Sequence, residues 1–406
     1  MTTEPAAAGR SPPSRWAIPV LLLVVFMSLI GFGVVIPLLP FYANVFDVPA
    51  WQITLMFATF SLGQFAGELT WGRLSDRIGR RPVLLITIAV SMVGYVALAY
   101  APGIWWAVAA RGAMGFFSGN ISTIQGYIVD ISPRERVAAR LGWFGAAFGI
   151  GFVVGPSLGG LLARPELGEA GFRPPLLVAA ALCGVACLGV LFLVRESTSA
   201  ANRASERIGP IHALRQAWAA PVLRSLLAST FMSFLAFSAM WSTVGLWGEA
   251  EFGWGPREIG LAMALTGVSA ALSQGLVSGA VVRRIGEPTT VAVGLLLTAA
   301  ALGLQAAAPL AAIAVACMVA AVAGHALSQP AMSSLISRAA PPDRQGSTLG
   351  ANAAAGSLAR VCGPVMAGLL YSSTTNNWPI LFAAAGMGPA AWLAWRVGRR
   401  DALHQA

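Results

Sequence analysis

The sequence predicts an all-α membrane protein with twelve transmembrane helices, arranged as two six-helix halves. Three observations lead to this prediction: the scarcity of charge, the recurrence of long apolar runs, and the repetition of the first part of the chain in the second. Charged residues make up 10% of the 406 positions and apolar residues 57%. A soluble chain of this length has too little polar surface to cover so much apolar side chain. We therefore expect lipid to be the solvent for much of the surface.

Long apolar runs follow one another along the whole chain, each of about 20 residues or more, which is the length that crosses a bilayer. We number them segments 1 to 12, at residues 16–40, 51–71, 82–101, 104–129, 139–163, 174–195, 222–247, 258–282, 288–307, 309–337, 345–371 and 377–397. The first run is longer than the apolar core of a signal peptide, about 7–15 residues, and similar runs follow it. Segment 1 is therefore expected to be a retained helix.

The segments and the polar stretches between them predict five parts of the chain. These are a disordered cytoplasmic tail at 1–15, a first six-helix half at 16–195, a cytoplasmic linker at 196–220, a second six-helix half at 221–397 and a cytoplasmic tail at 398–406.

The basic residues give the orientation. All 26 are arginines, and 21 of them lie in the two tails, in alternate connections between segments, or at the segment ends that adjoin these stretches. The other connections hold only Arg164, Arg173 and Arg257, whereas Arg111 and Arg360 lie inside segments. By the positive-inside rule both termini are cytoplasmic, which predicts a multi-pass protein of the inner (cytoplasmic) membrane. Because the arginines alternate with apolar runs, the net charge of +10 is a topology signal, and no nucleic-acid partner is expected.

Cofactor and enzyme chemistry are not expected. The four cysteines lie inside apolar segments, and the closest pair, Cys183 and Cys187, has no histidine or carboxylate companion, so neither a metal site nor a disulfide is predicted. The chain has no phosphate-binding Gly-Lys loop and no constellation of nucleophile and base.

An internal repeat relates the two halves at a shift of about 207 positions. Residues 132–136 match 340–344, and the Gly-Pro run at 155–162 matches 363–370. Parallel repeats of this kind place a substrate site between the halves, near the bilayer midplane, and suit alternating access by rocking.

The loop between segments 2 and 3 carries the sharpest local motif, Gly-Arg-Leu-Ser-Asp-Arg-Ile-Gly-Arg-Arg-Pro at 72–82. It resembles the cytoplasmic loop signature of the major facilitator superfamily. Glycines permit tight turns, and an aspartate can cap a helix N-terminus, where the helix dipole is positive. The resemblance implies a latch that holds the outward-open state; its residues are Gly72, Asp76, Arg77, Gly79, Arg80 and Asp130.

Within this latch, the resemblance implies that Asp76 meets segment 11, and Arg80 is placed to pair with Asp130 at the end of segment 4. The alternative is a plain positive-inside loop, for which the two glycines and the aspartate would not be needed. In the second half Arg283 replaces the aspartate and Glu287 the basic residue, which predicts a weaker latch there.

Segment 5 carries a second motif, with Gly142, then Gly151 after eight residues, then Gly155-Pro156 and Gly159-Gly160. It resembles the antiporter signature of drug/proton exporters in the same superfamily. Glycines four apart form a stripe without side chains that lets another helix approach closely, and Pro156 kinks the segment. Segment 8 has a matching small stripe from Gly267 to Gly279, which predicts a dry contact between the halves. The alternative is generic small-residue packing.

Polar residues inside the segments are functional candidates because they are costly in lipid. Arg111 begins a polar stripe on segment 4 that ends at Gln125 and is expected to line a water-filled cavity. The resemblance implies that Arg111 couples proton or substrate binding. Arg360 on segment 11, and His325 with Gln329 on segment 10, are expected to face the same cavity. His325 is either a proton carrier or a packing histidine.

Acidic candidates for carrying a proton are few. Glu68 on segment 2 either pairs with the arginines that follow it or, with its neighbour Gln64, faces the cavity. The run at 30–40 resembles segment 1 of tetracycline exporters, but Ser28 and Gly94 stand where those exporters carry acidic residues.

The resemblance covers nearly the whole chain and identifies it as a member of the twelve-helix drug/proton antiporter type. It implies a monomer that exports small amphipathic, drug-like molecules against protons, without a cofactor, in contact with lipid. Two alternatives remain: exchange or uptake of a defined polar or anionic metabolite, favoured by Arg111, Arg360 and His325, and a non-transporting membrane sensor.

Overall fold

The computed structural model describes residues 16–133, 136–197, 210–341, 344–373 and 375–404, and all regular structure in these ranges is helical. The helices are α1 (Ala17–Val35), α2 (Leu39–Phe46), α3 (Ala50–Ile78), α4 (Arg80–Ala99), α5 (Ile104–Ser118), α6 (Ile121–Asp130), α7 (Val137–Leu162), α8 (Arg173–Leu193), α9 (Pro210–Ala219), α10 (Pro221–Phe252), α11 (Pro256–Leu272), α12 (Ser278–Ile285), α13 (Glu287–Ala306), α14 (Ala311–Ala339), α15 (Gln345–Ser373) and α16 (Trp378–His404). The predicted tail at 1–15 and residues 198–209 of the predicted linker lie outside the described residues.

Three of the predicted segments consist of two helices each. Segment 1 is α1 and α2, joined by the 3-10 turn Ile36–Leu38, where Pro37 cannot donate a backbone hydrogen bond. Segment 4 is α5 and α6, separated at Gly119 and Asn120. Segment 8 is α11 and α12, joined by the π-helical turn Ser273–Val277. The predicted linker contains the short helix α9.

Ten helical stretches in the described residues are long and apolar enough to cross a membrane. The all-helical membrane prediction is therefore confirmed. The two remaining segments are α3, which is long but carries Glu68 and Asp76, and the pair α5 and α6, which are 15 and 10 residues long. Their assignment as spans stays a prediction.

Helix packing repeats between the halves. In the first half segment 1 packs on segments 5 and 6, segment 2 on segment 4, and segment 3 on segment 6. In the second half the equivalent pairs also pack: segment 7 on segments 11 and 12, segment 8 on segment 10, and segment 9 on segment 12. Segments 2 and 11 form one contact between the halves, and segments 5 and 8 form its symmetric counterpart. The repeat predicted from the sequence is thus a repeat of packing.

The loops define two ends of the bundle. At one end, which we call the basic end, the loop around Gly79 lies beside Asp130 and Glu196. At the opposite end Asn44 of the first half donates a 2.7 Å hydrogen bond to Glu249 of the second. Trp247 and Asn377 form another bond there, at 2.6 Å.

Candidate functional site

The turn between segments 2 and 3 is formed by Gly79. Helix α3 ends at Ile78 and α4 begins at Arg80, so a single residue reverses the chain. Gly79 has a φ of 108°, a conformation that side-chain-bearing residues rarely adopt. The carboxylate of Glu196 also lies where a Cβ of residue 79 would be. Both the backbone conformation of residue 79 and the nearby carboxylate of Glu196 favour glycine at this position.

Arg80 is the centre of the loop cluster. Its side chain is 8% exposed and lies 2.8 Å from Asp76 and 3.2 Å from Asp130. It also donates a 2.7 Å hydrogen bond to Ser75. The Arg80–Asp130 pair is the contact that the sequence predicts. The capping of segment 11 by Asp76, and the role of the cluster as a latch, stay predictions.

Glu196 is a member of this cluster that the sequence analysis missed. Its two carboxylate oxygens accept hydrogen bonds from the backbone N–H groups of Arg80 and Arg81, at 2.9 and 3.1 Å. The carboxylate therefore lies at the positive end of the α4 dipole and satisfies amides that have no partner inside the helix. Two features of the sequence could have indicated this contact. Glu196 is an acid just after segment 6, and the helix that starts at Arg80 has no capping side chain of its own.

The second half carries a reduced copy of this cluster. Glu287, at the start of α13, accepts a 2.5 Å hydrogen bond from Ser334 and lies 3.5 Å from Arg338. The side chain of Arg338 is 74% exposed, so water screens this pair strongly.

The glycine stripe of segment 5 packs inside its own half. Cβ atoms at Gly151, Gly155 and Gly159 would touch the backbone of segment 1, at Phe26, Ile30 and Val34. The predicted contact between segments 5 and 8 is present. Its assignment to Gly151, Gly155 and Gly159 is wrong. Residues four apart share one helix face, and that face is covered by segment 1.

The contact between the halves is formed instead by the neighbouring face of segment 5. A Cβ at Gly160 would collide with the backbone of Pro256, at the start of segment 8. Gly260 and Gly267 of segment 8 lie against Pro156 and Val153 in the same way. Gly160 follows Gly159 by about 100° around the helix, which is enough to turn it from segment 1 to segment 8.

Packing between the halves is tight away from the basic end. Gly368 of segment 11 lies against Trp51 and Thr54 of segment 2, and Gly245 of segment 7 against Pro40. Toward the basic end, Gly142 of segment 5 and Gly350 of segment 11 have open space: among the described residues, no heavy atom of a neighbour lies within 4 Å of a Cβ built at either position. The close contacts between glycines of one half and residues of the other thus lie away from the basic end.

Arg111 does not line the predicted cavity. It is 0% exposed, and its guanidinium carbon lies 4.2 Å from the ring centroid of Phe60. Within the described part of the chain none of its three guanidinium nitrogens has a hydrogen-bond partner. The predicted polar stripe is interrupted because the helix breaks at Gly119, so the exposed Gln125 belongs to a different helix.

Glu68 contacts the other half of the protein. Its carboxylate accepts a 3.4 Å hydrogen bond from Ser357 of segment 11, and Arg360 donates a 2.8 Å bond to the same hydroxyl. Glu68 and Arg360 are half-buried, whereas Ser357 is 2% exposed. Of the two alternatives for Glu68, this geometry favours the role between the halves over pairing with the arginine loop. Gln64, one turn earlier, is also half-buried.

His325 stands in a column of aromatic rings. Its ring is stacked on Phe237 with centroids 4.1 Å apart and meets Phe234 edge-on at 5.4 Å. Its Nε2 atom lies 3.3 Å from Gln329, and its Nδ1 atom has no partner among the described residues. The guanidinium of Arg360 also contacts Phe234, 5.5 Å from its ring centroid. The structure therefore joins His325, Arg360 and Glu68 but leaves Arg111 apart.

The two positions where tetracycline exporters carry acids are filled differently. Ser28 donates a 2.7 Å hydrogen bond to Val24 of its own helix. Gly94 lies so close to Met114 that a Cβ would collide with that side chain. A side chain at position 94 would therefore require the Met114 side chain to move.

Two repeated helical halves, with half-buried charges where the halves meet, define a polytopic membrane transporter. A family model described as Major Facilitator Superfamily matches residues 21–250 and 226–405. The chain therefore belongs to the major facilitator superfamily, and its relatives are of the drug-antiporter type.

The chain is 31% identical over 370 residues to the tetracycline resistance protein, class C, of Escherichia coli, covering 90% of this chain and 92% of the relative. It is 24% identical over 403 residues to multidrug resistance protein 2 of Bacillus subtilis, covering 94% and 96%. Among solved structures, a bacterial homologue of the human lysosomal transporter Spinster, in an inward-facing and unoccupied conformation, has a TM-score of 0.80 at 16% identity, covering 96% of this chain and 98% of that chain. This likeness concerns the fold.

Proposed function

We propose that the protein is a proton-coupled transporter that exports small amphipathic, drug-like molecules across the cytoplasmic membrane by alternating access. The relatives named for tetracycline and multidrug resistance support export. The loop cluster around Arg80 and the Gly-Pro motif of segment 5 support it as well, because both are present with the expected residues.

The membrane orientation is part of this proposal. All twelve segments span the bilayer, and the arginine-rich basic end, with both termini, faces the cytoplasm. Helix α3 has 29 residues, about 43 Å at 1.5 Å per residue, which exceeds the bilayer core of about 30 Å. With the basic end in the cytoplasm, a bundle closed at its opposite end is inward-facing and loads its substrate from inside the cell.

Coupling to protons is assigned to Glu68. It lies ten residues before the end of α3, about 15 Å along the helix from the basic end. Among the described residues it is the one carboxylate at least three residues from either end of a segment, and the charged group that faces it is Arg360. Rocking of the halves must break its bond to Ser357, and a carboxylate left without a partner in lipid favours taking up a proton.

The test uses inverted membrane vesicles that contain the full chain, acidified inside and loaded with a pH reporter. Addition of an exported substrate is expected to release protons from the vesicle lumen. A panel of drug-like cations, zwitterions and anions identifies the substrate class in the same experiment.

Glu68→Gln is expected to abolish substrate-evoked proton release while leaving membrane insertion intact. Glu251→Gln, which removes an exposed carboxylate at the opposite end, is the matched control and should behave like the wild type. Proton release of normal size from the Glu68→Gln protein would refute the assignment, and substrate movement without any proton release would refute coupling.

A further inference from the structure

Among the described residues, one pair of opposite charges faces each other between the halves. The charged side chains at least three residues from either end of a segment are Glu68, Arg111 and Arg360. Arg111 is enclosed within the first half by Phe32 and Phe60. Glu68 and Arg360 are half-buried and come from different halves. These two are the charges that a molecule between the halves can reach.

The pair is held apart by a hydroxyl group. Ser357 accepts a hydrogen bond from Arg360 at 2.8 Å and donates one to Glu68 at 3.4 Å. Within the described ranges, this hydroxyl is the only hydrogen-bond partner of either charged group. A buried ion pair is stabilised only when close contact and further hydrogen bonds compensate for lost hydration. Neither charge is well compensated, so both ends of the pair can gain from a ligand.

Aromatic rings continue from Arg360 to the first half. Phe234 lies beside the guanidinium, followed by His325, Phe237 and Trp241, with successive centroids 5.4, 4.1 and 5.6 Å apart. The column ends on Phe152 of segment 5, 5.6 Å from Trp241. Phe234 and Phe237 are half-buried, whereas His325 and Trp241 are buried. These two phenylalanines can contact a planar ring edge-on or in an offset arrangement. Both ends of the arrangement, Ser357 with Glu68 and Trp241 with Phe152, cross from one half to the other.

We propose that this arrangement binds aromatic zwitterions: the ammonium group of the ligand pairs with Glu68, its carboxylate pairs with Arg360, and its ring packs against the half-buried Phe234 and Phe237. The guanidinium fork matches a carboxylate in geometry, and an ammonium group supplies donors to the glutamate. A molecule with both charges replaces the single hydroxyl that now joins the pair.

This inference rests on the proposed function for the place of the site, and it adds the substrate class. The ligand's ammonium group and a proton compete for the same carboxylate, so binding of the zwitterion displaces the proton. That competition has the sign that exchange of substrate for protons requires.

The experiment measures binding to the purified full chain in detergent, by isothermal titration, with four probes that share one ring system. They are 2-naphthylalanine, its methyl ester, its N-acetyl derivative, and the doubly blocked N-acetyl methyl ester. The zwitterion is expected to bind about tenfold more tightly than either singly blocked probe, since each block removes one hydrogen-bonded charge.

Two variants assign the two ends of the ligand. Glu68→Gln should remove the preference for 2-naphthylalanine over its N-acetyl derivative, and Arg360→Gln should remove the preference over the methyl ester. The conservative changes Glu68→Asp and Arg360→Lys, checked for a normal elution volume, should keep part of each preference. Equal affinity of the wild type for all four probes would overturn the inference, as would variants that weaken all four probes equally while remaining folded.

The outcome is distinguishable from failure of the proposed function, because binding is measured without a membrane or a gradient. A zwitterion preference without proton release in vesicles would retain the site and refute proton-coupled export. Proton release evoked by a singly charged cation, without a zwitterion preference, would refute the site and leave export in place.

Discussion

Arg80 and Glu287 occupy equivalent positions in the two halves, each the first residue of its helix, and they carry opposite charges. Each binds an oppositely charged residue at the end of the next segment: Arg80 binds Asp130, and Glu287 binds Arg338. The repeat has kept the ion pair and exchanged its signs. In the first half the Arg80 side chain is buried, and it also binds a second acid, Asp76. In the second half the Arg338 side chain is exposed.

The residue that packs against each ion pair fits the size of the side chain it contacts: Gly126 lies next to Arg80, and Ser334 lies next to Glu287. A Cβ at Gly126 would lie 2.7 Å from the guanidinium carbon of Arg80, so this position leaves room for the larger side chain. The equivalent residue of the second half is Ser334, whose hydroxyl donates a hydrogen bond to the shorter Glu287. The predicted weaker second latch therefore has a structural basis in exposure and in size.

Removal of the arginine from each pair should have unequal effects. Arg80→Ala deprives Asp76 and Asp130 of a buried partner and is expected to lower the free energy of unfolding by about 1.5–3 kcal/mol. Arg338→Ala removes a screened surface contact, with an expected change below about 1 kcal/mol. Thermal melting of the two purified proteins provides the comparison, and equal shifts would contradict the asymmetry.

Asp76→Asn tests the latch separately from the fold. The asparagine keeps the size of the side chain and loses the charge, so insertion and melting temperature should change little while transport is lost. Transport in vesicles and cell-surface abundance are the two measurements. Full transport by this variant would show that the loop serves only topology.

Gly160→Leu is expected to open the seal between segments 5 and 8, because a side chain there collides with the backbone of Pro256. The variant should leak protons or lose coupling. Gly303→Leu in segment 9 is the control, at a position outside the motif with open space among the described residues, and it should retain coupling. The measurement is proton leak into vesicles in the absence of substrate. A Gly160→Leu protein that does not leak and stays coupled would show that the contact at Gly160 is not the seal.

Replacing Glu68 and replacing His325 should change the pH dependence of export in different ways. Glu68→Gln removes the titrating carboxylate, so export by this variant should no longer vary with pH. His325→Ala removes a ring stacked on Phe237, which should raise the substrate concentration needed for half-maximal export and keep the shape of the profile. A profile flattened by His325→Ala alone would make the histidine the proton carrier.

The interior polar residues show where prediction from sequence stops. Glu68 and Ser357 are 289 residues apart in the chain, so no local pattern relates them. Arg111 was expected in a cavity because it begins a polar stripe, but the stripe ends where α5 breaks, and aromatic side chains cover the arginine. Such outcomes depend on how each helix is rotated against its neighbours.

What the sequence determined by itself is local or periodic. Apolar length determined the helices, the 207-residue shift determined the equivalence of the halves, and the residues around Gly79 determined the turn. These features follow from hydrogen bonding within one helix and from the conformational freedom of glycine. The tertiary structure alone decided that the Gly151–Gly159 stripe faces segment 1, that Gly160 faces segment 8, and that Glu68 meets Arg360 across Ser357. A rotation of one residue, about 100°, exchanges one partner helix for another, and only the packing of the whole bundle sets that rotation.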